Sequence, residues 1–369
     1  RTGRCGVGMN INSKEIFKTL NPNKIWVPVA IGIGIVVYLF VSDPDFTADK
    51  LNLVFDARFW PLFLALLVIL IRDTGYVYRI KVLTNHDLTW ESSIYVIILW
   101  EFASAVTPSV VGGTTIVVFV LMKEGIKFGR ALAYVMLTAI LDNFFFLVMS
   151  PLALLYSKDE LFPNSEDMQV QLGNSLQVLF WISYGLITLY TSIMAYALLI
   201  RPRGFKWFLL KLGNIPFIRR WKHHLNNHGD EVILASKQLR GKKGQYWITV
   251  LLFTFLIWIA RYAVLNCLVS AFAEVSWNQH LLIFCRHLMM WIVMLVSPTP
   301  GSSGTAEFFF NQFFYEFLGD YTIVTNILWR MLTYYPYLLL GAIFLPRWIR
   351  RVFFKKKKEE KAPSVEMLK

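Results

Sequence analysis

Pro298-Thr299-Pro300-Gly301-Ser302-Ser303-Gly304-Thr305-Ala306-Glu307 interrupts a hydrophobic stretch in the second half of the chain, and Thr107-Pro108-Ser109-Val110-Val111-Gly112-Gly113 interrupts one in the first. Aligning Pro108 with Pro300 sets Gly112 on Gly304 and Thr114 on Ala306. Proline removes an amide donor and glycine lets the backbone bend, so each break frees peptide N–H and C=O groups. In hydrocarbon such groups are tolerated only where protein or a wet cavity satisfies them. Broken apolar segments at corresponding places in two halves point to the binding site of a membrane transporter.

The surrounding composition agrees with a membrane setting. Of the 369 residues, 56% are hydrophobic and only 17% charged, and the apolar residues run in long blocks. Six blocks are long enough to cross a bilayer: about 25–41, 59–80, 131–156, 175–200, 247–273 and 321–345. The two regions that carry the breaks, 90–122 and 280–318, divide into shorter pieces. Gly112–Met122 would rise only about 16 Å as a helix, against a hydrocarbon core of roughly 30 Å. The sequence therefore predicts an all-α polytopic membrane protein with six full spans and two re-entrant broken elements.

Loop charge tests that topology. The net charge of +13 could suggest nucleic acid, but the Lys and Arg lie in the loops between apolar runs, as on cytoplasmic flanks. Lys14, Lys18 and Lys24 put the N-terminus inside, and Asp43, Asp45, Asp49 and Asp56 put the next loop outside. Arg79 and Lys81 read as an inner flank. If 90–122 returns to the side it entered from, Lys123, Lys127 and Arg130 stay inside and the acidic 157–174 loop falls outside. Loop 201–246, with eleven Lys/Arg, and the tail with Lys355–Lys358 also fall inside. Counting either broken region as one crossing reverses every later loop; two crossings each would preserve parity, but 112–122 is too short.

The predicted organisation is a cytoplasmic N-terminus (9–24), a first membrane repeat (25–156), an outer loop (157–174), a second repeat (175–345) and a basic cytoplasmic tail (346–369). The odd number of crossings per half makes this an inverted repeat. Arg1–Gly8 precede Met9, which looks like a natural start, and are set apart from functional argument. The expected location is a bacterial-type inner membrane with both termini cytoplasmic. Cys5, Cys267 and Cys285 support no disulfide framework. Segment 205–212, apolar with two lysines, reads as an interfacial helix on anionic lipid.

Ionisable side chains inside apolar segments cost roughly 2.5–3.5 kcal/mol on insertion scales and are functional candidates. They are Arg72 with Asp73, Glu101, Asp142, Arg261, Arg286 with His287, Glu307 and Arg330. Arg72–Asp73 can equally be a locally compensated pair. A helix starting after Gly112-Gly113 or Gly304 would turn its positive end to the break, where an anion such as phosphate fits. Arg261, Arg286 and Arg330 are expected to hold phosphate, and Glu101, Asp142 and Glu307 to balance charge or bind an amine. Pro108, Gly112, Gly113, Pro300, Gly301 and Gly304 open the backbone. His223, His224 and His228 sit in a charged loop and read as a solvated face. No phosphate-binding loop, paired Cys ligands or nucleophile elbow is present, so no cofactor, metal or covalent catalysis is expected.

With these residues in view, the chain resembles the lysylphosphatidylglycerol synthase transmembrane-region family of flippase-like membrane proteins. Pro298–Glu307 is similar to that family's P-x-P-G-G-x-G-x-x-E element, Arg330 to its later arginine, Pro108 and Gly112 to its P-x-x-x-G-E element, and Asp142 to an acidic residue in the next helix. Ser302 replaces a glycine of the late element. Gly113 stands where relatives often carry Glu, which leaves that acidic role empty or passes it to Glu101. The resemblance spans nearly all of 20–350 and implies transport of a phospholipid or another anionic or zwitterionic lipid between leaflets.

Members fused to an aminoacyl-transferase domain make the lipid; this chain is not expected to. Membrane lipids are the expected partners, a separate lipid-modifying synthase is a further one, and nucleic acid is not. The alternatives are a secondary transporter of a small anion, a membrane transferase using a lipid carrier, and a non-catalytic partner of a synthase.

Overall fold

The computed structural model describes residues 52–107, 110–157, 160–162, 175–212, 214, 222–295 and 304–354. The 25–41 span, the N-terminal segment, Pro108, Pro300, Gly301, the residues 163–174 and the Lys355–Lys358 run lie outside them. Within them the chain is all helical, with no strand. After a short turn at Leu53–Asp56 come α1 (Phe59–Leu83), α2 (Trp90–Val106), α3 (Val110–Lys123), α4 (Phe128–Tyr156), α5 (Ser175–Ala195), α6 (Pro202–Leu212) and α7 (Lys222–Arg240). Then follow α8 (Gly244–Phe272), α9 (Trp277–Met294), α10 (Thr305–Leu318), α11 (Thr322–Thr333) and α12 (Tyr335–Ile349).

Four helical runs have the length and hydropathy of a membrane span: 59–83, 128–156, 176–200 and 244–272, and a fifth lies within 305–352. That last run holds 48 residues, far more than one crossing needs. It is divided at Gly319, whose φ of 51° ends α10, and again at Tyr334, where φ −125° and ψ −60° leave the helix just before Pro336. Rows of large apolar side chains face outward on α1 (Phe59, Trp60, Leu67, Leu70) and on α5 (Trp181, Leu186, Leu189, Ile193). Water would not tolerate such surfaces; lipid does.

The hydrogen bonds sort the loops onto two faces. α1 begins at Arg58, whose N–H donates to the Ala271 carbonyl at 2.9 Å. It ends some 37 Å away, near Asn85, which accepts from Lys242. α8 therefore runs antiparallel to α1, and the two pack along most of their length. On the basic face, Arg130 meets Asp87 at 3.2 Å, Glu231 accepts from the Gly129 amide at 2.6 Å, and Arg240 donates to the Ile200 carbonyl. On the opposite face, Tyr321 donates to Asp56, Arg58 pairs with Glu274, and Phe272 stacks on Tyr321.

Both broken regions fold as hairpins. α2 and α3 pack side by side, so closely that a Cβ on Gly113 would lie 2.5 Å from Ser104 Oγ. That close approach explains the glycine. The expected helix start after Gly112-Gly113 is corrected: α3 already begins at Val110, with both glycines in its first turns. The two outer ends of this hairpin meet, since Ser92 Oγ donates to Glu124 at 2.6 Å on the basic face. The second hairpin, α9–α10, is joined where Arg286 pairs with Glu316 at 2.8 Å and donates to the Phe313 carbonyl at 3.2 Å. Its outer ends lie on the opposite face, by Glu274 and Tyr321.

Each hairpin starts with a cap that the sequence supplies. Thr89 Oγ1 accepts the Ser92 amide at 3.1 Å, and Ser276 and Gln279 form a reciprocal capping box.

Candidate functional site

The end of α2 and the start of α10 come together around Tyr334. Its hydroxyl donates to the Ala105 carbonyl at the end of α2 at 3.1 Å. Its ring lies 4.9 Å from the Arg330 guanidinium, and Arg330 Nε donates to Glu307 Oε1 at 2.7 Å. The other oxygen of Glu307 accepts the Gly304 amide at 2.6 Å. Thus the start of α10 already has an anion, the protein's own carboxylate, which in turn holds Arg330. Both side chains of this pair are about nine-tenths buried.

Further along α1, three more ion pairs occupy the middle of the bundle. Asp142 is the fifteenth of the 29 residues of α4, as far from either helix end as it can be. It pairs with Arg79, through Oδ2 at 3.3 Å and a second contact at Oδ1, and accepts from Trp258 Nε1 at 2.9 Å. Arg79 also donates to Thr254 at 3.2 Å. Arg72 pairs with Asp73 at 2.8 Å, and Tyr337 of α12 donates to the same carboxylate at 2.8 Å. Arg261 of α8 lies 3.8 Å from Glu101 of α2 and donates to the Tyr76 hydroxyl at 3.2 Å. Its guanidinium sits between the rings of Trp258 and Trp291, at 5.3 and 5.1 Å from their centres.

The six charges balance, but they are not equally placed. Arg72 and Arg79 are buried behind their carboxylates, at 0% and 3% side-chain exposure. Asp73, Glu101, Asp142 and Arg261 keep 35%, 17%, 20% and 21%. Three carboxylates and one guanidinium flanked by indoles therefore stay partly accessible within the group. Ion pairs at this depth return their desolvation cost only with good geometry and extra hydrogen bonds. Asp73 and Asp142 have both, whereas Glu101–Arg261 is long and carries no direct hydrogen bond at that distance.

Of the residues singled out from the sequence, Glu101, Asp142 and Arg261 come together here, with the Arg72–Asp73 pair beside them. Glu307 and Arg330 form the neighbouring pair beside the start of α10. Arg286 joins neither group. It is fixed near the opposite face by Glu316, the Phe313 carbonyl and the Glu160 carbonyl at 2.8 Å. His287 packs among the rings of Tyr262, Phe314 and Trp329.

Arg79 is the residue that sequence reasoning missed. Loop counting takes it for an inner flank, yet it is buried against Asp142. The signal was its spacing: Arg72, Tyr76 and Arg79 recur at i, i+4 and i+7, one face of α1.

The open end of the first hairpin is also closed by the other half of the chain, and the second hairpin is held from the first half. On the basic face Glu124, with 7% side-chain exposure, accepts from Ser92, from Trp348 Nε1 at 2.7 Å and from Arg351. Arg351 pairs with Glu91 at 3.0 Å as well, so the turn that follows α12 (Arg350–Phe354) clasps both legs of the first hairpin. On the opposite face, the segment after α4 reaches the second hairpin through Glu160 and Arg286.

The comparisons with known proteins bear on this geometry. The sequence model of the family described as Lysylphosphatidylglycerol synthase TM region matches residues 25–341, both hairpins and every ion pair of the central group included. A UPF0104 membrane protein of Archaeoglobus fulgidus is 24% identical over 321 residues, covering 84% of this chain and 94% of that protein.

Proposed function

Because the chain belongs to the lysylphosphatidylglycerol synthase TM region family, we propose that it moves a phospholipid, or another lipid with a charged headgroup, between the leaflets of a bilayer without chemistry of its own. One observation carries this reading: three carboxylates and Arg261, set along apolar helices, all stay partly accessible. Such a lining suits a zwitterionic headgroup, whose phosphate meets Arg261 while its amine meets Glu101, Asp73 or Asp142. Trp258 and Trp291 give the headgroup a polarisable wall.

The two hairpins are read as re-entrant elements entering from opposite sides, related as an inverted repeat, with the basic face cytoplasmic. What supports this is that 92 and 124 meet on the basic face while 274 and 321 lie on the other. The lengths of α3 and α10, each 14 residues or roughly 21 Å, also favour it. The two clasps would then be the gates that open in turn. Glu307 and Arg330, where the end of α2 meets the start of α10, would hold the two elements in register as the headgroup passes.

Reconstitution in liposomes with labelled lipids tests the proposal. The full chain should speed leaflet exchange of a lipid with an amine-bearing headgroup, and Glu101→Gln and Arg261→Gln should each reduce that exchange at least tenfold. Equal exchange in all three proteins would remove the central group from the mechanism. Uptake of a water-soluble anion in place of lipid exchange would favour a small-anion transporter.

A further inference from the structure

The short helix α6 has no place in the headgroup path. It follows α5 directly, after a tight π turn over Tyr196–Ile200, and so starts at the basic face, where Arg240 caps the Ile200 carbonyl. Its orientation is fixed from below: Lys206 pairs with Asp230 of α7 at 2.6 Å, and the two helices pack together. The face turned away from α7 carries Arg203, Trp207, Phe208 and Lys211, all exposed, within about 140° of arc at 100° per residue. Trp207 and Phe208 keep 62% and 52% exposure, and Lys211 Nζ lies 5.0 Å over the Trp207 ring.

A helix packed on a solvated cytoplasmic loop would turn all its aromatic residues toward the protein. Here Phe205 and the Lys206 stem face the protein, while Trp207 and Phe208 point outward. Aromatic rings ringed by basic side chains, at the end of a membrane span, match the level where headgroups meet acyl chains.

We infer that α6 docks on the cytoplasmic leaflet by inserting Trp207 and Phe208 among lipids while Arg203 and Lys211 bind anionic headgroups. The occupant is an anionic phospholipid surface rather than a protein, because the patch pairs aromatic insertion with positive charge and lies where the neighbouring span leaves the bilayer. This rests on the chain's being embedded with its basic face inward, and not on its transporting lipid. Each basic side chain near an anionic surface contributes about fivefold in partitioning.

Hydrogen exchange on the full chain in nanodiscs, with phosphatidylcholine alone or with a third of phosphatidylglycerol, tests it. Amides of 203–211 should exchange at least tenfold more slowly in the anionic discs. Arg203→Gln/Lys211→Gln should abolish the difference, and Trp207→Ala/Phe208→Ala should speed exchange in both discs, with α4 and α8 unchanged in each variant. Equal protection in both lipids, or a difference indifferent to the charge variant, would overturn the anionic docking. Indifference to the aromatic variant would overturn the insertion. Leaflet exchange does not enter this readout, so either proposal can fail alone.

Discussion

Asp142→Asn separates charges that hold the bundle together from those that act on a guest. Asparagine keeps an oxygen for Trp258 Nε1, so the 2.9 Å hydrogen bond survives. Arg79 loses its counter-charge, which leaves Thr254 at 3.2 Å and the Tyr76 ring at 5.2 Å beside a guanidinium with 3% exposure. Breaking a buried pair from one side costs about 3–5 kcal/mol, because the remaining charge is uncompensated. Arg79→Met leaves the carboxylate instead; its partial exposure puts the cost nearer about 2–3 kcal/mol. Arg79→Met together with Asp142→Asn removes both charges and should recover to within about 1–2 kcal/mol of the native chain.

Unfolding free energies of the four proteins in bicelles, by steric trapping, close the cycle. The expected coupling is about 3–7 kcal/mol in favour of the double variant. Additivity of the singles within about 0.5 kcal/mol would refute the reasoning, since it would mean that Arg79 and Asp142 do not depend on each other.

Glu101→Gln should behave differently: the 3.8 Å pair has no direct hydrogen bond and both side chains keep partial exposure, so unfolding should shift by less than the about 3–5 kcal/mol of Asp142→Asn while lipid exchange falls. Loss of the fold would make Glu101 a structural residue. Gly113→Val would force α2 and α3 apart at Ser104 and should cost about 2–3 kcal/mol of overpacking in the same bicelle unfolding assay; an unchanged unfolding free energy would contradict the close hairpin. Replacing Glu124 and Arg351 by cysteines and bridging them with a bifunctional thiol reagent should link the end of α3 to the turn after α12, and that crosslink should stop lipid exchange if the clasp must open. Exchange at the native rate in the crosslinked chain would rule the clasp out as a gate.

Much of the fold was legible because its elements announce themselves. Long apolar runs bound α1, α4, α8, and α5 together with the π turn that carries it to Ile200, to within three residues, and proline and glycine in the sequence mark the break inside each helix pair. The division at Tyr334 was less visible: the 321–345 run reads as one span, and only Pro336 hints that α11 and α12 are separate. In the site, depth along a run found Asp142, Arg261 and Arg330, because a charge in mid-span is conspicuous, and nearness to the break found Glu307. Pairing was not legible. Arg79 looked like a flank because loop counting assigns every arginine near a helix end to the water, and Arg286 looked central because nothing local links it to Glu316. The Glu124–Arg351 clasp joins residues 227 positions apart, which no periodicity can reach.

The central claim is that the two broken regions turn back, each on its own side. Single cysteines at Asn85, Lys127, Glu274 and Asp320, all exposed, in a chain with Cys5, Cys267 and Cys285 replaced by serine, can be labelled in intact cells with an impermeant maleimide. The account predicts labelling at 274 and 320 from outside, and at 85 and 127 only after the membrane is opened. Opposite sides for 85 and 127, or for 274 and 320, would contradict it.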